Sequence, residues 1–281
     1  MRRPLAQRFP AGRARLWVVV VACAQAIACH PGKLQPLRPH WPTTVPTAER
    51  LLGALAERRT AVRSLRGFAQ IAYESGDDNI GARHAVLVRR PDHFRLEVLS
   101  PLGVLAVIAS DAKELAVYAR RERKIYRGPA SAGSVGAYTQ VPVEVADVTS
   151  ILLGTPPERE ATGPATVSRD EEAQAFKVTM PVALGRHLIW FAPETLAPVA
   201  SETPLPDGRR LRVAFGEYRD IGTLRFPHAI EMRAEPGDRV VRVRYASPSL
   251  NSEINDTLFE FPPREGLQEL QIEQYSAGGG G

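Results

Sequence analysis

The chain has 281 residues, with 36 basic and 31 acidic side chains and only two cysteines, Cys23 and Cys29. The five charges before Cys29 are all arginines (Arg2, Arg3, Arg8, Arg13 and Arg15), so they account for the whole formal excess of +5 and leave residues 29–281 neutral. A neutral body excludes a basic nucleic-acid interface of the usual kind, so no nucleic acid is expected as a partner. The absence of cysteines after position 29 excludes a disulfide framework or a thiolate metal cluster there.

The N-terminus combines those arginines with an apolar run over residues 16–28 and small residues at Ala26 and Ala28. A basic n-region, a short apolar h-region and a small-residue cleavage site describe a signal for export. The run is shorter than the roughly 20 apolar residues of a membrane span. Ala26-Ile27-Ala28-Cys29 resembles the lipobox of bacterial lipoproteins, with alanine where leucine is usual. The reading is a signal peptide over residues 1–28, cut before Cys29, which then carries the lipid anchor. Cys23 is the alternative acceptor, and it would leave an h-region near the minimum of about seven residues. Prolines at 31, 36, 39, 42 and 46 make residues 29–46 an extended, semi-rigid tether.

Residues 47–65 are expected to form a helix, with Thr47 as N-cap, Leu51, Leu52, Leu55, Val62 and Leu65 on one face, and Gly67 as its stop. Alternating segments then follow at short intervals: 68–73, 82–89, 94–98, 104–110, 115–119 and 124–127. In the third of these Phe94, Leu96 and Val98 oppose Arg95 and Glu97. Residues 128–140, rich in Gly, Ala and Ser, are expected as loop. Residues 143–153 read as a short amphipathic helix with Val145, Val148, Ile151 and Leu152 on one face, terminated by Gly154 and Pro156-Pro157. Strands resume at 175–179, 186–191, 196–203, 211–218, 226–233 and 239–247. A last apolar segment, 258–261, precedes a tail, 264–281, expected to be flexible. Eleven or twelve strands in a meander with two helices predict a mainly β domain over 47–263, a strongly curved antiparallel sheet or half-open barrel. With so few helices, the inside is either an apolar cavity or an ordinary packed core.

No catalytic constellation stands out. The six histidines are not at metal-ligand spacing with one another, so neither metal nor cofactor is expected. Ser131 and Ser134 lie in a glycine-rich stretch that lacks the G-x-S-x-G pattern, which leaves a hydrolase as the last of the alternatives. The distinctive feature is Ser100-Pro101-Leu102-Gly103, turn chemistry with a leucine at its tip. Leu102 either folds back onto the sheet or stays exposed, where burying it in lipid is worth roughly 1.5–3 kcal/mol.

Taken in order, Arg66-Gly67-Phe68-Ala69, Phe94-Arg95-Leu96, Ser100-Pro101-Leu102-Gly103, Val141-Pro142-Val143 and Ile151-Leu152-Leu153-Gly154-Thr155-Pro156 resemble the LolB family. LolB proteins are outer-membrane lipoproteins that receive other lipoproteins from the periplasmic carrier LolA. The resemblance covers residues 65–157; beyond that it is looser, to the LolA/LolB-like superfamily, in Ile189-Trp190-Phe191-Ala192-Pro193 and Phe226-Pro227. It implies an incomplete antiparallel barrel with helices as a lid over an apolar cavity, and no catalysis. It gives the loop Pro101, Leu102 and Gly103 the role of membrane insertion. It also makes Val145, Val148, Ile151 and Leu152, with Phe94, Leu96 and Val98, the lid and cavity lining. The implied partners are acyl chains of lipoproteins, a LolA-like carrier and the membrane, with the protein acting as a monomer. His30 follows the lipid-bearing Cys29 in place of the aspartate that retains lipoproteins at the inner membrane in some bacteria, so the outer membrane, facing the periplasm, is the expected location. The long tether and the tail after Pro263 have no counterpart in the family pattern. A LolB-like barrel that binds or senses another lipid or a protein partner, without transfer, is the alternative.

Overall fold

The computed structural model describes residues 41, 44–76, 78–262 and 266–273. The expected signal peptide, Cys23, Cys29 and most of the expected tether (residues 29–40, 42 and 43) lie outside the described residues. In chain order the elements are α1 (Ala48–Ala61), β1 (Ser64–Ser75), β2 (Asp78–Arg89), β3 (His93–Ser100), β4 (Gly103–Asp111), β5 (Glu114–Ala119), β6 (Lys124–Pro129), α2 (Ala132–Thr139) and α3 (Val145–Leu152). They continue as β7 (Thr166–Asp170), β8 (Ala175–Val182), β9 (Gly185–Phe191), β10 (Pro198–Pro204), β11 (Arg210–Ile221), β12 (Leu224–Glu235), β13 (Val240–Tyr245), β14 (Ser249–Leu250) and β15 (Gln268–Gln271).

Among the described residues, all fifteen strands join one open sheet in the order β15-β6-β5-β4-β3-β2-β1-β13-β12-β11-β10-β9-β8-β7, with β14 paired to β1. The pairing is antiparallel throughout except for β15, which runs parallel to β6. The sheet must curl, because Leu115, Val117 and Tyr126 from its β5–β6 end share one apolar cluster with Leu211, Val213 and Phe215 from β11. The expected mainly β, half-open antiparallel sheet is thus the observed one, and it does not close.

Period-two alternation decides which residues face the hollow side. Leu65, Ala69 and Ile71 on β1 lie opposite Val88, His84 and Ala82 on β2; Ala69 and Ile71 lie opposite Tyr245 and Val243 on β13. Helix α1 covers one part of this concave face: Leu51 and Leu55 pack on Phe176, Val178, Ile189 and Phe191. Helices α2 and α3 cover another, inserting Val135, Val145, Ile151 and Leu152 among Val86, Phe94, Phe226 and Tyr245.

Three expectations need correction. Helix α1 ends at Ala61, not Leu65, because Ser64 and Leu65 are already strand: Arg90 donates its backbone N–H to Arg63 O, and Leu65 pairs with Val88. Residues 132–139 are helical, not loop: Ser131 caps the helix by accepting from Ser134 N at 3.3 Å, and Val135 is buried four residues on. The tail is not wholly detached from the domain, since residues 268–271 add an edge strand and Ile272 is fully buried. In the last apolar segment, Phe261 lies over Val107, Ala109 and Ala116 on the convex face, and Arg127 donates to Phe261 O at 2.6 Å. That cover explains why β4 is apolar on both faces. Trp41, assigned to the tether, packs edge-on against Phe176 at 5.2 Å.

Gly154 ends α3 with φ +75°, and a Cβ there would stand 2.8 Å from the Pro227 ring. Gly154→Ala should therefore lower unfolding stability by about 1–3 kcal/mol, measured by urea titration, with the spectrum of the folded state retained.

Candidate functional site

Antiparallel order puts the β1–β2, β3–β4, β5–β6, β8–β9, β10–β11 and β12–β13 turns at one end of the sheet. The β3–β4 turn is held open by its own residues. Leu102 N donates to Ser100 Oγ at 3.2 Å, Ser100 Oγ donates to Gly103 O at 2.9 Å, and Gly103 has φ +101°, a conformation that favours glycine. Arg120 Nη1 donates to Leu102 O at 2.8 Å from the neighbouring β5–β6 turn. Leu102 does not fold back: it is 83% exposed, more than any other large apolar side chain among the described residues. Pro101 and Gly103 are exposed beside it. Ile80, on β2 near the β1–β2 turn, is also exposed, and so is Leu184 in the β8–β9 turn.

The expected lid and lining residues fall on the concave face, but in two grades. Phe94, Val145, Ile151 and Leu152 are buried in the core, and Tyr245 donates its hydroxyl to Leu152 O at 2.8 Å. Val148, Leu96 and Val98 are only half-buried. The space under α2 and α3 is therefore filled by side chains. The concave face stays partly uncovered nearer the hairpin end, where Leu96, Val98, Ile71, Met232 and Val241 are half-buried. Sequence reading missed Ile71, Met232 and Val241 as a group. Their common face follows from the register Ile71↔Val243, Tyr73↔Val241 and Met232↔Val241, which no local pattern reveals.

Two hollows open at the opposite end. One, about 240 Å³, is lined by Ala61, Val62, Leu153, Leu224 and Phe226 with Arg58 and Arg225 among its charged residues. That volume is below the roughly 300–1,000 Å³ of ordinary ligand sites, enough for part of a hydrocarbon chain. The other, about 380 Å³, is lined by Arg50, Glu57, Arg58 and Glu194, too polar for a chain.

Polar contacts hold α3 in place. Arg90 reaches Val62 O at 3.0 Å, Ser150 Oγ at 3.2 Å and Thr155 Oγ1 at 2.8 Å, so one guanidinium ties the end of α1 to α3 and the segment after it. Burial, then repulsion from Arg59, lowers its pKa to about 10, and it stays charged at neutral pH. Arg159 grips buried Asp147 of α3 through both oxygens, at 2.7 and 2.5 Å, which raises the pKa of Arg159. His187 is fully buried on β9, and neither ring nitrogen has a hydrogen-bond partner among the described residues. Burial first, then the charges of Arg159 and Arg59, lower its pKa to about 3. Ser131 and Ser134 hydrogen-bond to each other at the cap of α2.

No family model matches the chain, and no curated protein matches it in sequence. Solved structures do match in fold. A putative outer membrane lipoprotein-sorting protein domain from Vibrio parahaemolyticus is 9% identical with a TM-score of 0.54, covering 75% of this chain and 96% of that one. A DUF1329 family protein from Desulfovibrio piger is 8% identical with a TM-score of 0.53 over the same shares. A LolA superfamily protein from Nitrosomonas europaea is 17% identical with a TM-score of 0.49, over 77% and 99%. The fold is thus shared with a lipoprotein-sorting domain, at identities that carry the architecture alone.

Because His187 is held neutral in the fold, the unfolded chain, with an imidazole pKa near 6.5, takes up the proton first as pH falls. Stability should lose up to about 1.4 kcal/mol per pH unit from this group between pH 6.5 and 3, and nothing from it above pH 7. Urea unfolding at several pH values should show a shallower acid slope for His187→Leu than for the parent; equal slopes would contradict the assignment.

Proposed function

We propose that the protein is a lipid-anchored lipoprotein of the outer membrane, held through Cys29 with its domain in the periplasm. It takes acyl chains of lipoproteins onto its concave apolar face and helps insert them into the membrane. The observation that carries this reading is that the uncovered part of that face opens toward the same end as the exposed Leu102. The fold it shares with a lipoprotein-sorting domain and the motif order over residues 65–157 support it.

The physics is coherent. Each acyl methylene kept from water is worth about 0.8 kcal/mol, so a multi-acyl anchor needs a shield between membranes. A LolA-like carrier would hand the chains over with little change in environment, and the bilayer then supplies the downhill step. Because the space under α2 and α3 is filled, the chains enter from the hairpin end, along Leu96, Val98 and Met232, with α2 and α3 shifting to admit their full length.

That same filling favours a second reading, in which the barrel engages an envelope partner and transfers nothing. Two substitutions separate them. Leu102→Glu should leave folding intact, since the side chain is exposed, and cut release of bound lipoprotein into membranes about tenfold or more. Leu96→Glu should weaken acyl-chain binding itself. Unchanged transfer with both variants would remove the transfer reading.

A further inference from the structure

The β5–β6 turn beside the Leu102 tip carries Arg120, Arg121 and Arg123, all exposed, and Lys124 opens β6. One acid, Glu122, interrupts them. Its carboxylate accepts the Tyr126 hydroxyl at 3.0 Å and lies 3.9 Å from Lys124, so it offsets only part of the charge. The turn is fixed to the tip at two points: Arg120 N donates to Leu105 O at 3.0 Å, and Arg120 Nη1 donates to Leu102 O at 2.8 Å. Arg123 Nη2 donates to Gly266 O at 3.2 Å, a neutral acceptor, and among the described residues Arg123 makes no ion pair. Among the described residues Arg121 has no ion-pair partner.

A run of arginines is most often a solvated surface. Here two features argue for a ligand. Residues 29–281 are neutral as a whole, so a local excess of cations is not the general state of this surface. Next to it stands the most exposed large apolar side chain of the described residues, Leu102, with Leu105 also exposed on β4. An apolar tip flanked by cations matches the layering of a bilayer surface, where anionic headgroups overlie hydrocarbon. A nucleic acid would meet the cations but leave Leu102 in water.

We propose that the β5–β6 turn binds the headgroups of anionic phospholipids, so that the Leu102 tip engages anionic lipid surfaces in preference to zwitterionic ones. This rests on the membrane-insertion reading and names the surface that the tip selects. Arg120 positions the tip, and Arg121 and Arg123 supply the charge that headgroups meet. Each cation near an anionic surface strengthens binding about fivefold, and the effect fades with salt because it acts within a Debye length.

The test is co-sedimentation of the exported chain carrying Cys29→Ser, so that its own lipid does not anchor it. The vesicles are either phosphatidylcholine alone or phosphatidylcholine mixed with phosphatidylglycerol. The mixed vesicles should bind at least about twentyfold more tightly, and Arg121→Gln combined with Arg123→Gln should remove most of that preference. The pair should leave the unfolding midpoint and binding to phosphatidylcholine unchanged, and added salt should mimic it. Equal binding to both vesicles, binding to neither, or a preference indifferent to the double variant would each overturn the inference. Leu102→Glu keeps the two levels apart. If it abolishes binding to both vesicles while the parent shows no preference, insertion stands and headgroup selection falls; if it binds and transfers as the parent does, the insertion reading itself falls.

Discussion

Among the described residues, a single sheet of fifteen strands that curls without closing has a concave face far larger than the three helices can cover. The long strands contribute mostly apolar side chains to that face, and leaving them in water costs about 25 cal/mol per Å². The molecule meets this constraint by dividing the face. Helix α1 seals the β8–β9 part with Leu51 and Leu55. Helices α2 and α3 fill the middle around Phe94, Phe226 and Tyr245. Near the hairpin end Ile71, Leu96, Val98, Met232 and Val241 are left half covered. The convex face has its own cover where β4 needs it, from Phe261.

The seal over the middle is made of two materials. Apolar side chains supply most of the attraction, while a few polar contacts, Arg90 to Val62 O, Ser150 and Thr155 and Arg159 to Asp147, fix where the helices sit. Buried polar contacts are directional and costly to break singly, so they select one position of α3 over a continuum of sliding ones. The same region holds His187, Ser201, Thr203 and Thr149 with side-chain polar atoms that lack hydrogen-bond partners among the described residues. Such groups lower the stability of the closed packing relative to a wholly apolar core. A cover that is specific in position yet not maximally stable would suit the acyl-chain site proposed above.

Much of this was legible in the sequence. Clean alternation at Phe94, Leu96 and Val98 placed β3 and its inner face, and Ser100-Pro101-Leu102-Gly103 placed the tip, because both signals are local. Leu102 stands out because Ser100 fixes the turn within four residues. What failed was non-local or masked by composition. Helix α2 hid in small residues, although Ser131 followed by Val135 and Tyr138 was a usable cap-and-face signal. The end of α1 was overrun because Val62 and Leu65 continue its apolar spacing while serving other surfaces. Strand β15 pairs with β6 across more than 140 residues, and the half-covered group of Ile71, Met232 and Val241 exists only through the pairing of β1, β13 and β12.

The claim on which the functional reading turns is that the half-covered concave face takes up hydrocarbon. Native mass spectrometry of the gently purified chain reads this directly. An adduct of acyl-lipid mass, held at about one per chain and lost when Leu96 is replaced by a charged residue, is the expected result. A bare protein mass from membranes rich in lipoprotein, with no adduct on adding acylated peptide, would contradict it.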